Sequence, residues 1–266
     1  MNSDGFRRIS IGILFFLISG FVFGQEQMII GLKGITDAEF DRFGNLYLST
    51  EQGTIVKYDS SCNKVHSWSS AKVLPVTSID AGHNFRIFGF YKNGQSCLLL
   101  DRNFRLLNET DISRWAGNGT ATAYGSDHSI WLYDESEFTL KKIDPFLNQI
   151  ILSVRLPLIT RSDKLSVIQI EEYQNRIYVN NMEDGLYVFD ILGNLLQQPD
   201  IVTRLSFKFY RDELFFIDKD MVKSLHLYSH EVKNQYLISE TEDIITVLAK
   251  ENRIFLVYRN KVVRIR

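Results

Sequence analysis

Two groups of residues in this sequence have the side chains that catalysis or metal binding would need. Ser126, Asp127 and His128 are the residue types of a hydrolytic triad, and His226 and His230 have the four-residue spacing that suits zinc binding on a helix. Triads assemble in space rather than along the chain, and the sequence contains no G-x-S-x-G motif. The segment around the two histidines is typical of a strand, in which residues four apart are separated by about 13 Å. We therefore expect neither group to form a catalytic or metal site, and we predict no cofactor.

Four aspartates recur where apolar segments end, and together they resemble a carboxylate cluster. They are Asp59, Asp101, Asp144 and Asp190. Aspartate side chains accept hydrogen bonds from nearby backbone amides and so shape the turn after a strand. Because the four residues repeat at one position of similar segments, we predict that they form turns rather than a reactive site.

The segments that contain these aspartates belong to a repeat of about forty residues. Its most regular strand reads GNLYLST, NFRIFGFY, HSIWLYD, NRIYVNN, DELFFID and NRIFLVY, and the polar residues that open these copies are at positions 45, 84, 128, 175, 212 and 252. Similar segments before and after it give four strands per repeat, which is typical of a β-propeller blade. The sequence therefore predicts an all-β fold, a six-bladed β-propeller with four-stranded blades. A seven-bladed ring with one degenerate unit and a flattened β-sandwich are the alternatives.

The two ends of the repeat region predict how the ring closes. The last unit ends at KVVRIR and has three strands, whereas QMIIGL at residues 27–32 is a spare strand before the first unit. Pairing the spare strand with the last blade would cover an open edge. We therefore predict a ring closed by the N-terminal strand of the mature chain, with almost no helix. In the fifth unit, SLHLYS aligns Ser229 with the recurring aspartates.

The first 24 residues are typical of a secretory signal peptide. Arg7 and Arg8 precede an apolar stretch at residues 9–23, and Val22 and Gly24 lie where small residues precede a cleavage site. Such a stretch spans only about 22 Å as a helix, which is too short for a membrane anchor, and no cysteine follows it to carry a lipid. We predict a signal peptide over residues 1–24, a single propeller domain over residues 25–266, no membrane span after cleavage, and a periplasmic or secreted protein.

Charge and loop composition narrow the choice of partner. The net charge is −2, from 30 basic and 32 acidic side chains, so we expect no nucleic-acid binding. In a propeller, the turns between second and third strands lie on the same face as the loops between blades, and exposed aromatic or arginine side chains there often anchor partners. We predict partner binding by Arg114, Trp115, Glu135, Glu137, Arg161, Asp184 and Asp218. The alternative is a solvated surface with Trp115 packed against a neighbouring blade.

The two cysteines are not expected to form a disulfide, although export would permit one. Aligning the third strands places Cys97 at the beginning of its strand and Cys62 in the turn beyond the end of its own. The two thiols would then be about 17 Å apart, whereas a disulfide needs Cα atoms within about 7 Å. We predict a buried Cys97 thiol and a more accessible Cys62.

The GNLYLST…GTIVKYD pattern resembles the six-bladed propellers of the NHL and TolB-like kinds, which serve many functions. The V-F-G-Q-E junction and the run FRIFGFYKNGQSCLLLDRNFRLL at residues 85–107 are similar to secreted Bacteroidota proteins of propeller type. This second resemblance implies an accessory or plug-like subunit of the type 9 outer-membrane secretion machinery. No functional residue is carried over from it.

Three classes of function remain as hypotheses. The first is a non-enzymatic scaffold that binds another envelope or outer-membrane protein. The second is a metal-dependent hydrolase similar to the lactonase-like propellers, with Ca²⁺ or Zn²⁺ in the central channel. Glu39, Asn181 and Asp218 could be recruited as its ligands, but they do not align at one depth of the repeat. The third is a glycan-binding module, and the lack of a convincing catalytic motif favours the scaffold.

Overall fold

A computed structural model describes residues 26–82, 85–160, 162 and 165–265 of the protein, and it confirms the predicted six-bladed β-propeller. The predicted signal peptide lies outside the described residues. The described chain begins with β1 (Glu26–Gly31), and six antiparallel sheets of four strands follow one another around the ring.

The blades follow the sequence repeat in order. Blade one contains β2 (Ile35–Phe40), β3 (Leu46–Thr50), β4 (Thr54–Tyr58) and β5 (Lys64–Ser69). Blade two contains β6 (Ser78–Asp80), β7 (Arg86–Tyr91), β8 (Ser96–Asp101) and β9 (Leu106–Asp111). Blade three contains β10 (Gly119–Tyr124), β11 (Ile130–Asp134), β12 (Thr139–Asp144) and β13 (Gln149–Arg155), and the short helix α1 (Leu156–Thr160) follows it.

The second half of the ring repeats this arrangement. Blade four contains β14 (Val167–Tyr173), β15 (Arg176–Asn181), β16 (Gly185–Asp190) and β17 (Leu195–Gln197). Blade five contains β18 (Lys208–Tyr210), β19 (Glu213–Asp218), β20 (Met221–His226) and β21 (Val232–Leu237). Blade six combines β1 with β22 (Ile244–Lys250), β23 (Arg253–Tyr258) and β24 (Lys261–Ile265).

Six clusters of buried apolar side chains, one at each boundary between blades, hold the described ring together. Phe90 of blade two and Leu132 of blade three belong to one cluster, and Leu48 of blade one and Val257 of blade six belong to another. The β-branched and aromatic residues of the repeat therefore fill the spaces between sheets, where pleated surfaces favour them. Apolar burial at every boundary stabilises a closed ring rather than an open array.

The N-terminal strand closes the ring, as predicted. β1 pairs antiparallel with β24, with Glu26 opposite Ile265 and Gly31 opposite Lys261. The Glu26 carboxylate also accepts hydrogen bonds from the Tyr236 hydroxyl at 3.0 Å and the Ser239 hydroxyl at 2.8 Å. The first described strand therefore covers the edge of the last blade and is anchored to blade five as well.

The recurring aspartates form turns, as predicted. Asp59 Oδ1 accepts hydrogen bonds from the backbone amides of Ser61 and Asn63, both at 2.9 Å. The same pair of backbone contacts, to the amides two and four residues on, recurs at Asp101 and Asp190. Asp144 Oδ1 accepts from the amides two and three residues on, those of Phe146 and Leu147. Each carboxylate is therefore used by the turn that follows its strand.

Blade five departs from the predicted alignment. β20 ends at His226, so the prediction that Ser229 takes the place of the aspartates is wrong. The imidazole Nδ1 of His226 instead accepts hydrogen bonds from the backbone amides of Tyr228 at 3.4 Å and Ser229 at 3.1 Å. A ring nitrogen can replace a carboxylate in this role because only an acceptor two or three residues before the amide is needed.

Both cysteines are free, as predicted, with Cys97 buried and Cys62 partly exposed. Burial raises the pKa of the Cys97 thiol to about 12, which keeps it protonated at neutral pH. No helix within the described ranges is both long enough and apolar enough to cross a membrane.

Candidate functional site

The central channel is lined by the first strands of the blades, and it contains a charged cluster formed by Asp37, Glu39, Glu171 and Lys208. Lys208 Nζ lies 2.9 Å from Glu39 Oε2 and 3.1 Å from Asp37 Oδ1. Its side chain is only 4% exposed. Because a buried charge is costly unless it is paired, these contacts are what makes a lysine tolerable there. They also join blade five to blade one across the channel.

Burial and the charge of Lys208 shift the pKa values of the channel carboxylates in opposite directions. Burial raises the pKa of Glu39 to about 7, even though the positive charge of Lys208 opposes this rise. Burial also raises the pKa of Glu171 well above its usual value, and Gln169 Nε2 donates a hydrogen bond to Glu171 Oε2 at 3.0 Å. The cluster therefore contains two carboxyl groups whose pKa values burial raises above their usual range.

Lys208 remains the fixed cation of the cluster. Burial alone would lower the pKa of Lys208, but the charges of Asp37, Glu39 and Glu171 raise it above its usual value. The cavity that these residues line encloses about 60 Å³. This volume has room for a few water molecules and is well below the roughly 300–1,000 Å³ of ordinary ligand pockets.

The residues considered for a central metal do not converge. Asn181 ends β15, where its side chain accepts a hydrogen bond from the Ser166 amide at 2.7 Å, and Asp218 pairs with Lys223 at 2.6 Å. Glu39 alone of the three lines the channel, and there it faces an ammonium group. Among the described residues, no group of three or more His, Cys, Asp or Glu side chains could hold a metal ion.

The three residues considered as a hydrolytic triad, Ser126, Asp127 and His128, each contact a different side chain. Ser126 Oγ donates to Glu172 Oε1 at 2.5 Å, whereas Asp127 pairs with Lys142 at 2.8 Å. His128 Nδ1 lies 3.1 Å from the Tyr124 hydroxyl. No hydrogen bond links the serine to the histidine among these contacts, so the arrangement gives no nucleophile–base pair.

The turns between second and third strands and the loops between blades form one face of the ring, which we call the 2–3 face. On it, the β11–β12 turn is held by the buried Lys141, whose Nζ donates to Asp134 Oδ2 at 2.8 Å, Glu137 Oε2 at 2.7 Å and the Trp115 carbonyl at 2.8 Å. Asn118 Nδ2 donates to Glu135 Oε2 at 2.9 Å. The loop after β9 and the β11–β12 turn therefore form a single rigid surface.

The carboxylate at the base of this surface is strongly ionised. Burial alone would raise the pKa of Asp134, but hydrogen bonds from Lys141, Ser136 and two backbone amides hold it at about 2. Asp134 is itself buried, and the neighbouring Glu137 is exposed while Glu135 is half-buried. The surface thus presents Glu135 and Glu137 to solvent over a fixed internal ion pair.

The expectation of an exposed Trp115 is wrong. Its side chain is 9% exposed and belongs to the apolar cluster between blades two and three, together with Phe88 and Leu132. Arg114 is exposed, but its guanidinium donates to Asn148 Oδ1 at 3.0 Å and lies 5.2 Å from the Trp115 ring. The structure matches the alternative in which Trp115 packs against a neighbouring blade.

The other residues predicted for partner binding lie apart from this surface. Asp184 follows β15 in blade four and accepts hydrogen bonds from the Tyr187 hydroxyl at 3.2 Å and from Ser162. Asp218 ends β19 in blade five, half-buried beside Lys223. Arg161 lies outside the described residues. Glu135 and Glu137 therefore share the β11–β12 turn, whereas the Arg114 guanidinium contacts the β12–β13 turn and Asp184 and Asp218 lie in other blades.

Sequence reasoning missed Asp37, Glu171 and Lys208. The sequence does contain a pattern that could have identified them, because each is a charged residue within a first strand that also contains apolar residues. These strands read ITDAEF, VIQIEEY and RLSFKFY. Strand interiors are depleted in such residues, so a charged side chain there points to a special environment. The contact between Lys208 and Asp37 joins residues 171 positions apart, which no local pattern predicts.

Comparisons with known proteins identify the fold and nothing narrower. No family model matches the chain, and no curated protein matches it significantly. Among solved structures, selenomethionine-substituted virginiamycin B lyase from Staphylococcus aureus is 9% identical, with a TM-score of 0.63 over 90% of this chain and 97% of the other. The WD40 domain of Neurospora crassa Pan2 is 8% identical, with a TM-score of 0.62 over 87% and 89% of the two chains. BamB from Moraxella catarrhalis is 12% identical, with a TM-score of 0.50 over 88% and 83%. These likenesses show that the chain has a β-propeller fold.

Proposed function

We propose that this protein is exported, loses residues 1–24, and acts in the periplasm or outside the cell as a non-enzymatic propeller that binds another envelope or outer-membrane protein. An accessory or plug-like subunit of an outer-membrane secretion complex fits this role. The resemblance of the signal junction and of residues 85–107 to secreted Bacteroidota propellers supports that assignment.

One observation carries the proposal, the rigid acidic surface on the 2–3 face. Lys141 fixes the β11–β12 turn from within, and this turn displays Glu135 and Glu137 at the surface. A surface that is ordered before binding loses less conformational entropy when a partner docks. Charges at the rim of an interface steer association and select the partner.

Affinity capture from envelope extracts tests the proposal. The bait is the mature chain, compared with a Glu135→Lys/Glu183→Lys variant that reverses two charges on the 2–3 face. A Glu231→Lys/Glu251→Lys variant makes the same change in exposed residues of the opposite face and serves as the matched control. We expect one envelope protein to be recovered by the unchanged chain and the control, and several-fold less by the 2–3 face variant. Equal recovery by all three baits would reject this face as the binding surface.

A further inference from the structure

A second surface lies on the opposite side of the ring, where the turns between first and second strands are found; we call it the 1–2 face. Between blades one and two it contains a cavity of about 290 Å³. The β2–β3 turn, residues Ala81, Gly82 and Phe85 between β6 and β7, and Arg102 in the turn after β8 contribute its walls. Its size suits one or two side chains of a bound ligand.

Two exposed phenylalanines lie at this cavity. Phe43 is 60% exposed and Phe85 is 46% exposed. Their ring centroids are 5.6 Å apart with an angle of 30° between the planes. A single exposed apolar side chain is ordinary, but two aromatic rings side by side at a cavity form a contiguous apolar surface of the kind that marks a binding site.

Cationic groups surround the two rings. The Arg42 guanidinium lies 4.0 Å from the Phe85 centroid and 4.9 Å from that of Phe43, and the Arg102 guanidinium lies 5.7 Å from Phe85. In the described parts of the chain, neither arginine makes an ion pair with a carboxylate. The aromatic faces hold the guanidinium groups in place but leave their hydrogen-bond donors available.

The one carboxylate among the described residues that line this cavity is already occupied by its own turn. Asp41 Oδ1 accepts hydrogen bonds from the backbone amides of Phe43 at 2.9 Å and Asn45 at 2.8 Å. Its Oδ2 accepts from Asn45 Nδ2 at 2.7 Å and the Tyr47 hydroxyl at 3.2 Å. Lys57 and Arg86 also line the cavity, although the Arg86 guanidinium donates a hydrogen bond to the Tyr124 hydroxyl at 2.7 Å. Positive side chains therefore outnumber the single carboxylate among the described lining residues.

We infer that this cavity binds an acidic peptide segment of a partner protein, one that places an apolar side chain between flanking carboxylates. The apolar side chain would cover Phe43 and Phe85, and the carboxylates would accept charge-assisted hydrogen bonds from Arg42 and Arg102. A single nucleic-acid strand would need a positive groove that continues beyond one cavity, and the chain as a whole carries a net charge of −2. The site lies on the face opposite to the acidic turns and does not depend on the function proposed for them.

Fluorescence anisotropy with the mature chain and a labelled probe, acetyl-Asp-Glu-Phe-Glu-Asp-amide, tests this inference. We expect saturable binding that salt weakens, and a loss of about tenfold or more in affinity for Arg42→Ala and for Phe43→Ala, because anchors of this kind dominate binding energy. The matched control is Arg211→Ala on the same face, where the guanidinium lies 5.1 Å from the Tyr210 ring away from the cavity. A probe with lysine in place of its acidic residues should not bind.

Three results would overturn the inference. One is no binding by the unchanged protein, and another is an equal loss of affinity in Arg42→Ala and Arg211→Ala, which would indicate diffuse charge attraction. The third is stronger binding of a single-stranded oligothymidine than of the peptide. Because Arg42 and Phe43 are exposed turn residues, unchanged melting temperatures will show that the variants are folded.

Discussion

At the scale of single residues, Lys208 is the side chain on which the channel depends most. It lies between Asp37 and Glu39, with Glu171 near enough to influence its pKa. Removing one member of a buried ion pair leaves the other charges without compensation. The cluster therefore stabilises the ring only while the lysine is present.

We accordingly expect Lys208→Met to lower the free energy of unfolding by about 3–5 kcal/mol, measured by urea denaturation at pH 7. The matched control is Lys223→Met, which removes the partner of Asp218 in a more exposed ion pair and should cost less than about 1 kcal/mol. Similar losses in the two variants would show that the channel cluster is not a buried network.

The raised pKa of Glu39 predicts a pH dependence with a definite sign. The folded protein holds the Glu39 proton up to about pH 7, whereas the unfolded chain releases it near 4.5. The contribution of this group is therefore fully present below pH 4.5 and is lost as the pH rises through 7. At 1.36 kcal/mol per pKa unit the loss is about 3 kcal/mol, and Glu171 acts in the same direction.

Glu39→Gln, which cannot titrate, isolates this effect. The unfolding free energy of the unchanged protein minus that of Glu39→Gln should fall as the pH rises from 4.5 to 8. Urea titrations of both proteins across that range provide the measurement. A difference that stays constant, or grows with pH, would contradict the raised pKa.

Because Trp115 is buried, its expected role is in stability and not in direct partner binding. As a side chain packed between blades two and three, it should stabilise the fold rather than bind a partner directly. We expect Trp115→Ala to lower the unfolding free energy by about 3–5 kcal/mol, as large-to-small changes in a core do. If the variant instead melts at the same temperature as the unchanged protein, Trp115 does not pack between the blades as described.

At the scale of elements, the repeat predicted most of the fold because its strands alternate in a regular way and its turns use residues with known turn chemistry. The middle strands, the turn aspartates and the closing strand all lie where the sequence indicated. The sequence could not show which side chains of a first strand face the channel, since that depends on how six blades meet. It misplaced the end of β20 because His226 performs the task that aspartate performs elsewhere.

Ring closure by β1 gives a prediction for the element itself. Deleting residues 27–32 removes most of β1 and exposes the edge of β24 in blade six. We expect a large fall in melting temperature or a loss of solubility, because an uncovered edge strand pairs with other chains. Thermal denaturation and sedimentation of the truncated chain test this, and a truncation that melts like the intact mature protein would reject closure.

At the scale of the whole molecule, the ring separates two kinds of surface. The 2–3 face presents Glu135 and Glu137, and the 1–2 face presents Arg42 and Arg102 beside exposed aromatic rings. Turns of antiparallel blades alternate between the two faces, so the fold can vary each surface without altering the core. The same fold occurs in a lyase, in BamB and in a WD40 domain, and fold alone therefore does not determine function.

Site-specific photo-crosslinking in cells of the source organism tests partner binding by the 2–3 face most directly. A photoreactive residue is placed at Glu135, and in a separate strain at Glu231 on the opposite face, within the full-length chain that carries residues 1–24. We predict that the mature protein in the envelope fraction forms one discrete crosslinked product from position 135 and none of that size from position 231. A protein that stays in the cytoplasm with residues 1–24 attached, or the same product from both positions, would contradict the account.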